Sequence, residues 1–312
     1  MNNSGKKRVV VLGASGMLGS MVVDFLERDP SLEVAATVRS AEAGQKVASR
    51  VQRASVSVLE ATSPSELPLA IRGAAWVVNA IGVTKPYVRD DVPNEVERAV
   101  RVNALFPHAL AQTAASEGAR VLQIATDCVF SGREGRYTES AAHDSLDVYG
   151  KTKSLGEVRA PGVHHLRCSI IGPETTTRAF LLEWVRNQSR GATVPGFTDH
   201  FWNGVTTLEF ARLCHAIVRD DLELPALMHV VPKGAVTKKE LLEVIASVFG
   251  RDDLQVHPVA SGKPIDRTLS TVDPGRNCAL WKAAGYEEPP SIPAMLNELA
   301  QYASRRLEGA AP

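Results

Sequence analysis

The sequence predicts an α/β protein built on a doubly wound parallel sheet with a smaller C-terminal lobe. Three observations carry this. Short β-rich apolar runs alternate with segments of helical spacing, the first run ends in a glycine-rich turn that opens a helix, and the alternation loosens after Gly172. The strand candidates are Arg8–Leu12, Val34–Val38, Val56–Leu59, Ala75–Asn79, Val121–Ala125 and Val163–Cys168, and the helices between them include Met17–Glu27, Glu95–Ser116 and Val148–Arg159. Right-handed crossovers between such strands bring ligand-binding residues to the carboxyl ends of the sheet. Beyond Gly172 the spacing predicts a helix over Ala179–Gln188, an irregular stretch from Gly191 to Gly204 and a helix starting near Thr206. Leu227–Val231 reads as a strand that rejoins the sheet, and Lys238–Phe249, Leu254–Val256 and Pro293–Arg305 complete the smaller lobe. Met1–Gly5 and Glu308–Pro312 read as frayed ends.

The bulk numbers exclude several classes. A chain of 312 residues buries a large core without staples. Lys+Arg and Asp+Glu are equal at 35 each, so no global field would hold a nucleic acid or an anionic membrane against salt. The four cysteines, Cys128, Cys168, Cys214 and Cys278, form no CxxC pair, which argues against a zinc site and a disulfide framework and fits a reducing compartment. No metal is required by any ligand spacing. Lys6-Lys7-Arg8 followed by Val9-Val10-Val11-Leu12 resembles the opening of a signal peptide, but Gly13 ends the apolar run too early. No stretch approaches the roughly eighteen apolar residues of a membrane span. A cytoplasmic location is expected.

Gly13-Ala14-Ser15-Gly16-Met17-Leu18-Gly19 follows a strand and opens a helix. Its glycines let backbone approach a pyrophosphate while the helix N-terminus supplies N–H donors, as in a Rossmann fold. The spacing is GxxGxxG, and a glycine-rich turn by itself also serves tight turns in other folds. The second strand ends at Thr37-Val38-Arg39-Ser40, where an NAD enzyme usually places an acid for the ribose hydroxyls. Arg39 suits a ribose 2′-phosphate instead, with Ser40 as a further donor, so NADP(H) is preferred and NAD(H) stays open. The bland alternative for Arg39 is a solvated loop charge. Glu60 follows the third strand, where such folds contact the adenine edge. On this reading the cofactor domain spans 1–172 plus about 204–235, and a substrate-binding lobe spans about 173–203 plus 236–312.

Tyr149-Gly150-Lys151-Thr152-Lys153 places Tyr149 and Lys153 on one helical face. A phenol with a pKa near ~10 exchanges protons slowly at neutral pH, and a nearby ammonium is expected to lower that value. Thr126 ends the fifth strand, where its hydroxyl can hold a substrate oxygen beside the phenol.

With these residues in view, the chain resembles the extended short-chain dehydrogenases and, within them, the dTDP-4-dehydrorhamnose reductase family. The resemblance covers nearly the whole length. It rests on the Gly13-to-Gly19 cradle, Asn79-Ala80-Ile81-Gly82, Val102-Asn103, Thr126-Asp127-Cys128-Val129-Phe130-Ser131-Gly132, and Tyr149-Gly150-Lys151-Thr152-Lys153 followed by Gly156-Glu157. It implies that NADPH reduces the keto group of a nucleoside-diphosphate 4-keto-6-deoxyhexose, as in polysaccharide or deoxysugar biosynthesis. Tyr149 would give the proton, Lys153 would hold the nicotinamide ribose, Thr126 would bind the carbonyl oxygen and Asn103 would support a proton relay. Ala80, Ile81 and Gly82 would line the cofactor, and Asp127, Val129 and Phe130 the substrate. Relatives of this kind also imply a homodimer. Arg167-Cys168-Ser169-Ile170-Ile171-Gly172 matches the family's strand end leading into the substrate lobe.

Gly196 to Gly204 mixes aromatics with polar groups suited to a sugar or base, and His200, Trp202 and Asn203 are the candidates, against a packed loop as the alternative. By resemblance, Arg267 would face the nucleotide diphosphate. The departure from the family is Cys128, which stands where rhamnose-pathway reductases carry Tyr. The Asp-Glu pair of sugar 4,6-dehydratases is absent, since Asp127 is kept and the Glu is missing, which disfavours dehydration. GDP-fucose synthase has a Cys at this offset, so an epimerase or epimerase-reductase is an alternative. A small apolar filler is the preferred reading of Cys128. From another class, an NADP-sensing regulatory subunit without turnover, like the β subunit of methionine adenosyltransferase, is the further alternative.

Overall fold

The computed structural model describes residues 5–174 and 180–308, without the side chains of Pro64 and 305–308. Met1–Ser4, Ala179 and residues 309–312, which entered the expectations above, lie outside the described residues.

The first half runs β1 (Lys7–Leu12), α1 (Met17–Leu26), β2 (Leu32–Val38), α2 (Ala41–Ala48), β3 (Ser55–Val58), α3 (Leu67–Ile71), β4 (Trp76–Asn79), α4 (Pro93–Ala99), α5 (Phe106–Glu117), β5 (Arg120–Ala125), α6 (Val148–Leu155) and β6 (Val163–Arg167). The second half continues with β7 (Ile170–Ile171), α7 (Leu181–Arg186), β8 (Thr193–Phe197), β9 (His200–Trp202), β10 (Val205–Thr206), α8 (Thr207–Asp220) and β11 (Leu227–His229). It closes with β12 (Val236–Thr237), α9 (Lys238–Val248), β13 (Gln255–Val259), β14 (Ile265–Asp266), α10 (Pro274–Ala283) and α11 (Ile292–Glu308). The expected strands of the main sheet all form, and β11 rejoins it as expected. Its seven strands lie in the order β11-β6-β5-β4-β1-β2-β3 and pair in parallel throughout.

The core follows from strand periodicity. Side chains of β1 alternate between faces, so Val9 and Val11 pack with α1 and α8 while Val10 and Leu12 pack with α3 and α5. All four are fully buried, as parallel strands covered on both faces require. In α11, Ile292, Met295, Leu296 and Leu299 repeat at helical spacing and are buried. They belong to the same core as α1, α8 and α9, so the C-terminal elements share the body's core.

Three expectations are corrected. The stretch from Gly191 to Gly204 is not irregular: β8 pairs in parallel with β13, and β9 lies between β12 and β14. Their shortness and the Pro195-Gly196 step hid the alternation. Glu95–Ser116 is interrupted by a turn of π-helix, Val100–Leu105, between α4 and α5. Helices α2, α3 and α10 went unread. Asp273 caps α10 by accepting from Arg276 N, and Pro274 takes the first helical position, a start signal that was visible in the sequence.

Candidate functional site

The site lies at the carboxyl ends of the adjacent strands β1 and β4, where the strand order reverses direction, the switch point where open α/β sheets bind ligands. Gly13 turns with φ +85°, and a Cβ there would press on Ile81 N at 3.1 Å. A Cβ at Gly19 would collide with the carbonyl oxygen of Gly13, so α1 can start this close to β1 only as glycine. Gly16 caps α1 without a side-chain hydrogen bond, and no acid stands in the first turn, leaving N–H donors suited to a phosphate. Ser15, Met17 and Leu18 complete the turn. Ala80-Ile81-Gly82 crosses over Gly13, tied by Ile81 N donating to Asn79 Oδ1 at 3.1 Å. A dinucleotide fits this cradle.

Arg39 is exposed, and Ser40 caps α2 by accepting from Ala43 N, which leaves its hydroxyl proton to donate. The Glu60 carboxylate accepts from Thr62 N and Oγ1, both at 3.0 Å.

Thr126 caps the turn after β5, where its Oγ1 accepts from Cys128 N at 3.2 Å. Asp147 caps α6 by accepting from Gly150 N at 2.7 Å and pairs with Lys85 at 2.6 Å. These bonds fix the start of α6, which carries Tyr149, and the Thr126 hydroxyl donates to Asp127 Oδ1 at 3.3 Å. The structure reverses the expected tuning. Burial pushes the Tyr149 phenol up, and the neighbouring Cys128, Asp127 and Asp147, which would repel a phenolate, push the same way. The Lys153 ammonium donates to Ile124 O at 3.2 Å and is not among the groups that weigh most on the phenol. Burial brings that ammonium down to about 8, opposed by Glu157, which is held in turn by Arg167 at 2.6 Å. Cys128 is pushed up to about 12 by burial and by Asp127, and Asp127 is itself raised by burial.

Other candidates have structural partners. The Asn103 amide accepts from Val83 N at 2.8 Å and donates to Val83 O at 2.9 Å, holding the segment after β4. Val129 and Phe130 are fully buried with Tyr137 and Leu269, and Phe130 stacks on Tyr137 at 4.2 Å. The Asn203 amide makes a two-way pair with the Leu269 backbone. His200 bonds Ser261 Oγ at 3.1 Å and packs on Phe197. Trp202 donates to Ser169 Oγ at 2.8 Å, and Arg267 Nε donates to Phe130 O at 2.8 Å. Sequence reading missed Lys85, Asp147 and Lys238, all of which act electrostatically on Asp127, Cys128 or Tyr149. Asp147 was legible as a helix cap, whereas the two lysines carry no local signal. Among the described residues no cluster of three His, Cys, Asp or Glu could hold a metal, and no helix is long and apolar enough to cross a membrane.

A parallel sheet with a glycine turn after β1, a strand-end Thr and a Tyr/Lys helix is the architecture of an extended short-chain dehydrogenase/reductase. The chain belongs to the RmlD substrate binding domain family, whose model matches residues 7–280. It is 28% identical over 310 residues to a dTDP-4-dehydrorhamnose reductase of Streptomyces griseus, covering 90% of this chain and 89% of that protein. It is also 27% identical over 267 residues to the methionine adenosyltransferase 2 subunit beta of Danio rerio, covering 81% and 77%. Among solved structures, a Bacillus anthracis dTDP-4-dehydrorhamnose reductase in complex with NADP superposes with a TM-score of 0.68 at 16% identity, over 95% of this chain and 99% of that one.

Proposed function

We propose that this protein is an NADPH-dependent reductase of the keto group of a nucleoside-diphosphate 4-keto-6-deoxyhexose. The observation that carries the reading is the glycine cradle after β1, where a Cβ at Gly19 would meet the Gly13 carbonyl oxygen, together with Thr126 capping the turn after β5 and Tyr149 and Lys153 one turn apart on α6. The relatives named as dTDP-4-dehydrorhamnose reductases support the substrate class.

Gly13 to Gly19 and the α1 N-terminus would hold the pyrophosphate, Arg39 and Ser40 a ribose 2′-phosphate, and Lys153 the nicotinamide ribose. When bound, NADPH supplies the hydride that reduces the ketone carbon. Thr126 Oγ1 orients the carbonyl oxygen, and the Tyr149 hydroxyl gives it a proton. A phenol held neutral by burial is suited to donating, which is the direction that reduction needs. Asn103 holds Val83 and with it the Ala80–Gly82 crossing. The lobe comprising about 173–203 and 236–312 would close over the sugar nucleotide, with Trp202 and Arg267 facing it.

A Cys128 thiol at about 12 is a poor proton acceptor near neutrality, which supports reduction over epimerisation. The intact Thr126, Tyr149 and Lys153 set supports turnover over cofactor sensing alone. Four unpaired cysteines suit a reducing cytoplasm. By the same family resemblance a homodimer is expected, to be read by light scattering. The reading is tested by following NADPH absorbance across keto-sugar nucleotides carrying dTDP, UDP, GDP or CDP. Oxidation by wild type and none by Tyr149→Phe is the expected result, and equal turnover by the variant would sink the assignment.

A further inference from the structure

We propose that Gln123 is a positioning residue for the nicotinamide end of the cofactor site: paired with Asn79, it replaces one rung of the β4–β5 ladder and so holds both Lys153 and the Ala80–Gly82 crossing in place. The proposal rests on the reading above that Lys153 holds the nicotinamide ribose, and it names the side chain that sets where that lysine sits.

Asn79 and Gln123 lie opposite each other at the carboxyl ends of β4 and β5, and both are buried. Arg120 N donates to Ala75 O at the start of this strand pair. Carried along by steps of two, the same alternation would bring Ile81 N to Ile124 O as the next rung after Asn79 and Gln123. Side chains take both groups instead. Ile81 N donates to Asn79 Oδ1 at 3.1 Å, and Ile124 O accepts from Gln123 Nε2 and from Lys153 Nζ, each at 3.2 Å. Asn79 Nδ2 closes the chain by donating to Gln123 Oε1 at 2.7 Å. The backbone N–H at one end and the carbonyl at the other fix which way both amides point.

A sheet that needed only strength would carry apolar residues at these two positions. Val77 and Val121, two residues earlier on the same strands and also opposite each other, are fully buried in the apolar core. Buried amides cost stability unless they are bonded, and this pair is bonded at both ends. With an apolar residue at 123, Ile124 O would lose one donor and Asn79 Nδ2 its acceptor. Ile81 N and Ile124 O would then be drawn together as the missing rung. That shift would pull Ile81 away from Gly13, where its nitrogen now lies 3.1 Å from the position of a Gly13 Cβ, and would take from Lys153 the carbonyl it is held by. Gln123 thereby acts on the cofactor through two other groups and touches neither the cradle nor the substrate.

The test titrates two ligands by calorimetry into wild type, Gln123→Met and Gln123→Glu: NADPH, and adenosine 2′,5′-bisphosphate, which lacks the nicotinamide and its ribose. Gln123→Met keeps the length of the side chain but loses both of its hydrogen bonds. It should weaken NADPH binding by roughly tenfold and leave adenosine 2′,5′-bisphosphate within about threefold of wild type. Gln123→Glu is the conservative variant. Protonated, its carboxyl offers the same acceptor and donor as the amide, so at about pH 6 it should bind NADPH within about threefold of wild type; ionised at about pH 8, it loses the donor and should bind roughly tenfold more weakly than wild type at the same pH. This variant carries the comparison alone if thermal melts show that Gln123→Met does not fold. Wild-type NADPH affinity in the folded variants at about pH 8 overturns the proposal. So does an equal loss of both ligands, which would make Gln123 a support of the fold alone. Failure of the reductase reading is seen separately, because neither titration needs a keto sugar: a protein that reduces none of them and still shows the loss confined to NADPH keeps Gln123 in this role.

Discussion

Burial holds the phenol of Tyr149, the proposed proton donor, in its protonated form, so its removal should cost the chemical step more than binding. Tyr149→Phe is expected to lower kcat by ~100- to 10,000-fold, with NADPH affinity by fluorescence within about threefold of wild type. Lys153 titrates in a measurable window. Its ammonium is present below about pH 8 and lost above it, so kcat/KM should fall as pH rises through 8, and Lys153→Met should remove that limb. Arg39 is exposed and suited to a 2′-phosphate. Arg39→Ala should raise KM for NADPH by roughly tenfold or more and leave KM for NADH nearly unchanged, and parallel changes in both would return Arg39 to the status of a surface charge. The residues of the cradle and relay were legible because each sits within a contiguous motif. Val129, Phe130 and Asn203 were legible as motif members, but their burial and backbone pairing were not, because these depend on Tyr137 and Leu269 from elsewhere in the chain.

At the scale of elements, α1 and the π turn between α4 and α5 set the site. Gly19 lies against the Gly13 carbonyl, so Gly19→Ala would push α1 off the turn. The expected outcome is a loss of roughly tenfold or more in NADPH affinity, with stability lowered by about 1–3 kcal/mol, measured by titration and denaturant melts. The π turn adds a residue to a helical register and brings Asn103 against Val83, a device common at functional positions. Periodicity alone read 95–116 as one helix, because α4, the π turn and α5 are helical without a break and only the hydrogen-bond step changes. The strands of the main sheet were legible because burial on both faces demands apolar runs, as in Val9-Val10-Val11-Leu12. Strands β9, β12 and β14 are only two or three residues long, too short for alternation to register.

For the whole molecule, Glu209 ties the body to the C-terminal helices. It is fully buried in α8, accepts from Thr206 Oγ1, and receives Tyr286 OH at 3.2 Å, while Arg212 reaches Glu298 of α11. Burial raises the Glu209 carboxyl from 4.5 to about 7. The folded form therefore binds this proton more tightly than the unfolded chain. Its contribution to stability is complete below about pH 4.5 and is lost as pH rises through 7, by up to about 3 kcal/mol. Thermal melts should show the wild-type midpoint falling across that window relative to Glu209→Gln, and parallel curves would remove Glu209 from the account. The sequence by itself determined the parallel α/β class, the cradle and the Thr126, Tyr149 and Lys153 set, because strand burial, helix starts and one-turn spacings act over a few neighbouring residues. Only the tertiary structure decided that burial holds the phenol up rather than lowered, that burial and Asp127 push the Cys128 thiol up to about 12, and that Val129 and Phe130 pack against Tyr137 and Leu269. Desolvation and charge depend on which distant segments come together, and no local pattern records that.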